Sequence, residues 1–472
     1  MPARPADARH FPGRIVSSAH VPSPHPVRVP FGWHTTPVTE KLDSPLLLRW
    51  PELSGNVVAT HFRLSVGLDE RDEKTVEVSI PSSGRVIGSM ELKYASQFQV
   101  YEIPLTATDL DDLRKNGLGL RLRRGSELEI ITGGTDVPPA LLPHLMVPGG
   151  TSETAEFFQR MKTLACVQPF GWMESCVLDG LLDLSASAEH REMRDSAARH
   201  LSLFIHQGKL VYEDPVSVPS GGKLHDMESC LPFAAMARMD PNSPLLNMAV
   251  DFWQSHLNAK GLIQDGGHLS SEGAYTVGYA LAEIAKARRS EKLMRQALDQ
   301  VRLRQSALFN GVEFWRTRHE GGSPEDRNWA RGIAWQLLGL TRTLTVDKEL
   351  IDISDLLPPL RELASWTLEH QREDGLLAVF VDEESLLEDT AGSAGIAAAL
   401  AIGANQGWLA ADARVAAQKT LKRLETHLTA DGFLGGVSQS NKGGEALQRG
   451  GYRCIYQMGM GLMAQLIAAL RG

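Results

Sequence analysis

The sequence predicts an α+β multidomain protein, an N-terminal antiparallel β-sandwich followed by an (α/α)6 barrel, and three observations carry that expectation. The chain of 472 residues is longer than one hydrophobic core usually organises. Its hydrophobic period changes near residue 150, from alternating runs to helical ones. Within the helical part, amphipathic and wholly apolar segments take turns.

Residues 1–30 are rich in Pro, Arg and His and have no apolar run, so they are expected to form a flexible arm. The stretch 31–137 contains short alternating runs: Val57 to Val66, Thr75 to Ile80, Phe98 to Ile103 and Leu118 to Leu122. Turn signals such as Pro81-Ser82-Ser83-Gly84 separate them, and the spacing predicts antiparallel strands in a sandwich. Residues 138–150, from Pro138-Pro139-Ala140 to Pro148-Gly149-Gly150, read as a linker. The remainder, 151–472, is the barrel.

Twelve helices are predicted there. Six are amphipathic and meet water: 152–166, 189–206, 243–257, 290–307, 356–371 and 411–428. The six between them are apolar almost all round and rich in Gly and Ala: 172–184, 226–239, 272–285, 329–344, 388–403 and 452–470. Such helices suit close packing inside a ring of outer ones. The loops entering most inner helices are long (207–225, 258–271, 308–328, 372–387 and 429–451), so all of them lie at one end. Binding residues concentrate on such loops, and the helix N-termini there favour carboxylates.

Composition excludes several classes. A net charge of -9 and a pI near 5.9 argue against nucleic-acid binding. With no run of eighteen apolar residues or export signal, the expectation is a cytoplasmic protein with no membrane partner. Cys166, Cys176, Cys230 and Cys454 lack disulfide or zinc-ligand spacing and read as buried thiols. No Walker, Rossmann or His-Glu-x-x-His motif is present, and no metal or cofactor is expected. The sequence sets no oligomeric state.

The inner-helix N-termini supply the candidate site. Lys223 to Phe233 sets His225, Asp226 and Glu228 against an apolar helical run, after the Gly-rich Pro219-Ser220-Gly221-Gly222. Asp226 fits two roles, an N-cap or a catalytic acid. Glu174 and Trp172, Trp329, Arg331 and Trp335, Asp389 and Tyr452 open the other inner helices. Aromatic faces stack on sugar rings, and an Arg fork binds carboxylates. Trp172 and Trp335 fit core packing equally well. Arg331, one turn into an apolar helix, needs a buried partner or a cavity.

The segment Asn328-Trp329-Ala330-Arg331-Gly332-Ile333-Ala334-Trp335 resembles the Trp-Ala/Gly-Arg-Gly-x-Gly/Ala-Trp motif of the unsaturated uronyl hydrolases, the glucuronyl and rhamnogalacturonyl enzymes of glycoside hydrolase families 88 and 105. Asp226 followed by Pro232, and Glu388-Asp389-Thr390-Ala391-Gly392-Ser393-Ala394, are similar to two further segments of that family in the same order. Leu224 stands where the family often has Trp, and Leu308-Phe309-Asn310-Gly311 where rhamnogalacturonyl members carry a Tyr-His-Gly-Trp-Asp-like loop. The resemblance implies a metal-free hydrolase that removes a terminal, 4,5-unsaturated uronic acid from an oligosaccharide. Asp226 would be the acid, with His225 or Glu174 tuning it. Arg331 would bind the uronate carboxylate, and Trp329, Trp335 and Trp172 would hold the ring. Two alternatives stay open: a β-glucuronidase with Glu174, Glu228 or Asp389 as second carboxylate, and a non-catalytic carbohydrate-binding protein.

Overall fold

The computed structural model describes residues 7–16, 30–40, 45–53, 57–212, 222–264, 267–319, 322–346 and 352–472. Alternating apolar residues in the first 150 positions form antiparallel strands, because period-two patterns bury one face of a pleated ribbon. They are β1 (Arg9–Pro12), β2 (Arg14–Ile15), β3 (His34–Val38), β4 (Leu46–Arg49), β5 (His61–Ser65), β6 (Glu73–Ile80), β7 (Arg85–Lys93), β8 (Val100–Pro104), β9 (Leu118–Arg124), β10 (Leu128–Gly133) and β11 (His144–Val147). One sheet has the order β2-β4-β9-β6-β7, another β1-β11-β5-β8, and β3 pairs with β10. Phe62, Leu64, Ile103 and Leu145 from the second sheet share one buried cluster with Val76, Val78, Leu118 and Leu120 from the first. Helix α1 (Ala107–Asn116) is closed at its start by a capping box between Thr106 and Asp109.

Two sequence expectations fail here. Part of the supposed arm, residues 9–15, is paired into both sheets, with Arg9 opposite Val147 and Ile15 opposite Leu48. Most of the remaining arm lies outside the described residues, as does the Gly-rich loop before Gly222. The supposed linker contains β11, an inner strand between β1 and β5. Pro143 and Pro148 bracket the four residues His144–Val147, three of them apolar, and read as breakers they hid a strand too short to show alternation.

The helical half has the predicted alternation. The outer helices are α2 (Glu153–Met161), α4 (Met193–Phe204), α6 (Leu246–Ser255), α8 (Glu291–Leu308), α10 (Leu357–Glu369) and α12 (Ala411–Glu425). The inner ones are α3 (Trp172–Leu184), α5 (Pro232–Met239), α7 (Ala280–Ala287), α9 (Ala330–Val346), α11 (Thr390–Asn405) and, after the short α13 (Gly444–Arg449), α14 (Gln457–Arg471). Each inner helix packs on the next, and α14 packs back on α3, so the ring closes. Small residues permit this. A Cβ at Gly461 of α14 would lie 2.3 Å from the Cys176 backbone of α3, and one at Gly339 of α9 would lie 2.2 Å from the Ala274 carbonyl carbon.

The sheets dock on the N-terminal end of that ring. Arg63 of β5 donates from Nη1 to both oxygens of Asp431 at 2.7 and 2.6 Å, and His10 Nε2 lies 2.8 Å from the same carboxylate. Ser96 Oγ is 2.6 Å from Tyr456 Oη, and Gln457 donates to the Phe98 carbonyl at 2.7 Å. Trp33, Phe98 and Ile131 join the apolar core of the helical half itself.

Candidate active site

At the docked end the inner-helix N-termini and their loops enclose a cavity of about 390 Å³. Its lining includes Trp172, His225, Asp226, Glu228, Trp329, Arg331 and Trp335, so seven of the ten sequence candidates converge there. The long entering loops bring them together, as the loop lengths predicted.

Asp226 stands at the start of a helical turn that runs through Glu228–Cys230 into α5. Its Oδ1 accepts the Ser229 N–H at 2.7 Å, and Ser229 Oγ donates back to the Asp226 carbonyl at 2.7 Å. The capping role is therefore real. It orients the carboxylate rather than hiding it, since both His225 and Asp226 are exposed at the cavity.

Trp172 and Trp335 meet edge to face at 5.3 Å, and Tyr275 stacks nearly parallel on Trp335 at 6.0 Å. Together they give the cavity an apolar platform. Tyr275 comes from a π-helical stretch, Ala274–Tyr279, that leads into α7. Its hydroxyl donates to Asp179 at 2.5 Å, and Tyr279 donates to the other oxygen of Asp179 at 3.0 Å, which fixes the platform from below.

Arg331 is 1% exposed and heavily engaged. Its Nε lies 3.0 Å from Asp389 Oδ2, an ion pair at an angle outside hydrogen-bond geometry. Its Nη2 donates to Ser438 Oγ at 2.9 Å and to the Gln439 carbonyl. The guanidinium also sits 4.9 Å from the Trp329 ring centroid. Arg331 does not offer a free fork: Nη1 alone lacks a partner among the described residues, so it can make a single-point contact with an anion.

Three candidates are elsewhere. Glu174 is fully buried, bonded to His200 Nδ1 at 2.7 Å and to the Gln168 N–H at 2.7 Å. Two residues past Trp172 on a helix is a rotation of about 200°, which turns it toward α4 and away from Asp226. Asp389 is buried too, and serves as counter-ion of Arg331 and acceptor of the Ser438 N–H at 3.1 Å. Tyr452 precedes α14 in a short bridge and faces the sheets, where its hydroxyl donates to the Glu91 carbonyl at 2.7 Å. The inner helix begins at Gln457, five residues later than its apolar pattern suggested.

Sequence reasoning missed other lining residues. Arg316, in the long loop entering α9, is mostly buried and paired with Asp326 at 2.5 Å and Glu272 at 3.3 Å. Those carboxylates hold it in its charged form despite burial. Asp69 and Arg71 reach the cavity from the turn after β5, and Ser440, Asn441 and Lys442 from the loop before α14. No periodic signal marks a loop residue that becomes a wall only when two distant segments dock.

A helical ring with a carboxylate, a buried Arg and an aromatic platform at its loop end defines the class, a glycoside hydrolase. Residues 271–466 match the model described as Glycosyl Hydrolase Family 88, in agreement with the motif resemblance. Solved structures share the fold. A glycoside hydrolase from family 105 of C. acetobutylicum aligns with a TM-score of 0.57 and 16% identity, over 68% of this chain and 98% of its own. A possible member of the GH105 family from Salmonella enterica aligns at 0.56 and 15%, over 64% and 83%. An unsaturated glucuronyl hydrolase specific for heparin aligns at 0.53 and 14%, over 67% and 95%. No curated protein matches the chain.

Proposed function

We propose that the protein is an exo-acting hydrolase that removes a terminal 4,5-unsaturated uronic acid from an oligosaccharide. The observation that carries this reading is the convergence of Asp226, Arg331 and the tryptophans on one cavity. Asp226 protonates C4 of the C4=C5 vinyl ether, and positive charge develops at C5 and the ring oxygen. The ionised Asp226 then takes a proton from water as its oxygen adds to C5. The resulting hemiketal opens and releases the shortened oligosaccharide. Arg331 Nη1 contacts the uronate carboxylate, and Trp172 and Trp335 support the ring. The match to the family 88 model and the heparin specificity of one solved neighbour support an acidic sugar as substrate.

The N-terminal sheets, read as the β-sandwich that the strand pattern predicts, serve in this proposal as one side of the site. The free thiols Cys166, Cys176, Cys230 and Cys454 fit a cytoplasmic setting. Turnover is tested with unsaturated uronyl disaccharides beside an aryl β-glucuronide. Loss of the double bond's ultraviolet absorbance is expected. Release of the aryl alcohol with the unsaturated sugars untouched would replace this reading with a saturated glucuronidase.

A further inference from the structure

The wall that the N-terminal sheets give to the cavity carries chemistry that the proposed reaction leaves unused. Asp69 and Arg71, in the turn between β5 and β6, line the cavity alongside Trp172, Asp226 and Trp329. The Asp69 side chain is 1% exposed and that of Arg71 is 53% exposed. Arg71 Nε lies 3.0 Å from Asp69 Oδ2, and Lys442 Nζ, from the loop before α14, contacts Oδ1 of the same carboxylate. One buried carboxylate therefore faces two cations, Arg71 and Lys442. The other cavity arginines are matched: Arg331 by Asp389, and Arg316 by Glu272 and Asp326. The Nε of Arg71 meets Asp69 as an ion pair outside hydrogen-bond geometry, and its Nη1 and Nη2 have no partner among the described residues.

We infer that Arg71 is a specificity-determining residue whose terminal nitrogens bind an anionic group, carboxylate or sulfate, of the oligosaccharide in the cavity. Asp69 is its positioning residue. The inference rests on the proposed function and narrows the substrate to acidic oligosaccharides read jointly by the helical ring and the sheets. A planar guanidinium ion-paired through Nε presents its Nη edge for a two-point contact with either oxyanion.

The test compares the full-length protein with Arg71→Ala and Arg71→Lys on unsaturated uronyl disaccharides with and without a sulfate on the second sugar. Arg71→Ala raises KM about tenfold, the size of one charge-assisted contact, and Arg71→Lys recovers part of it. The kcat and the melting temperature stay close to those of the parent. A loss on both sugars assigns the contact to the uronate carboxylate, and a loss confined to the sulfated sugar assigns it to the sulfate. Equal KM for all three proteins on both sugars overturns the inference while the proposed reaction stands. If the parent turns over neither sugar, the reaction fails, and calorimetric titration with a glucuronate-terminated disaccharide reads Arg71 directly. Equal affinity of parent and Arg71→Ala, or no binding by the parent, then overturns it.

Discussion

At Asp226 the observed capping role and the proposed acid role differ in their sensitivity to substitution. Its Oδ1 accepts a backbone N–H from Ser229, and Asn offers the same acceptor at a helix start. Asp226→Asn should therefore stay folded, with a melting curve near that of the parent. An amide does not supply the acid proton, so turnover should fall by a factor on the order of 10² or more. Folded Asp226→Asn with near-normal turnover would move the acid role to Glu228 or Glu272, which line the same cavity. At this scale the sequence was a partial guide. It marked the residue types at helix starts, but Glu174 and Asp389 were misassigned because spacing does not say which neighbour claims a buried carboxylate first. His200 and Arg331 do so here.

At the scale of elements, the inner helices pack where small residues let backbones approach. The contact between α3 and α14 depends on Gly180 and Gly461, where an added Cβ would meet the Gly461 carbonyl oxygen at 2.6 Å and the Cys176 backbone at 2.3 Å. Backbone cannot yield as a flexible side chain can. Gly461→Ala should separate the two helices and cost about 1–3 kcal/mol, the usual range for overpacking. Chemical denaturation measures it, and a midpoint unchanged from the parent would show that the ring relaxes freely. The helical alternation was legible because 3.6-residue periodicity and Gly/Ala content are local signals. The π-helical turn at Ala274–Tyr279, which aims Tyr275 and Tyr279 at one carboxylate, left no comparable signal.

For the whole molecule, the junction of sheets and helices sets the response to pH. Burial pushes His10 and His144 below the usual imidazole value of 6.5, with Arg63 and Asp431 beside them. Both rings are neutral in the fold, whereas the unfolded chain protonates them below 6.5. Stability should therefore fall as the pH drops below that value. His200 has the opposite sign. Burial opposes its charge, but Glu174 more than offsets this and raises it to about 10. Its contribution is complete below 6.5 and is lost as the pH rises toward 10. Melting temperature against pH should show a maximum near neutrality, with the alkaline limb flattened in His200→Gln. An unchanged alkaline limb in that variant would remove the Glu174–His200 pair as its cause.

Local pattern by itself determined the two halves of this protein, the twelve helices, most strands and the end of the ring that carries the cavity. Each of these follows from periodicity and loop length within about twenty residues. Tertiary structure alone decided that residues 144–147 form an inner strand, that Tyr452 faces the sheets, and that Asp69, Arg71 and Lys442 share a wall of the cavity. Those outcomes depend on contacts across hundreds of residues, such as Asp69 with Lys442 and Arg63 with Asp431. Such contacts are fixed by shape and by the cost of leaving a buried charge unpaired, and neither quantity is written in any one stretch of chain.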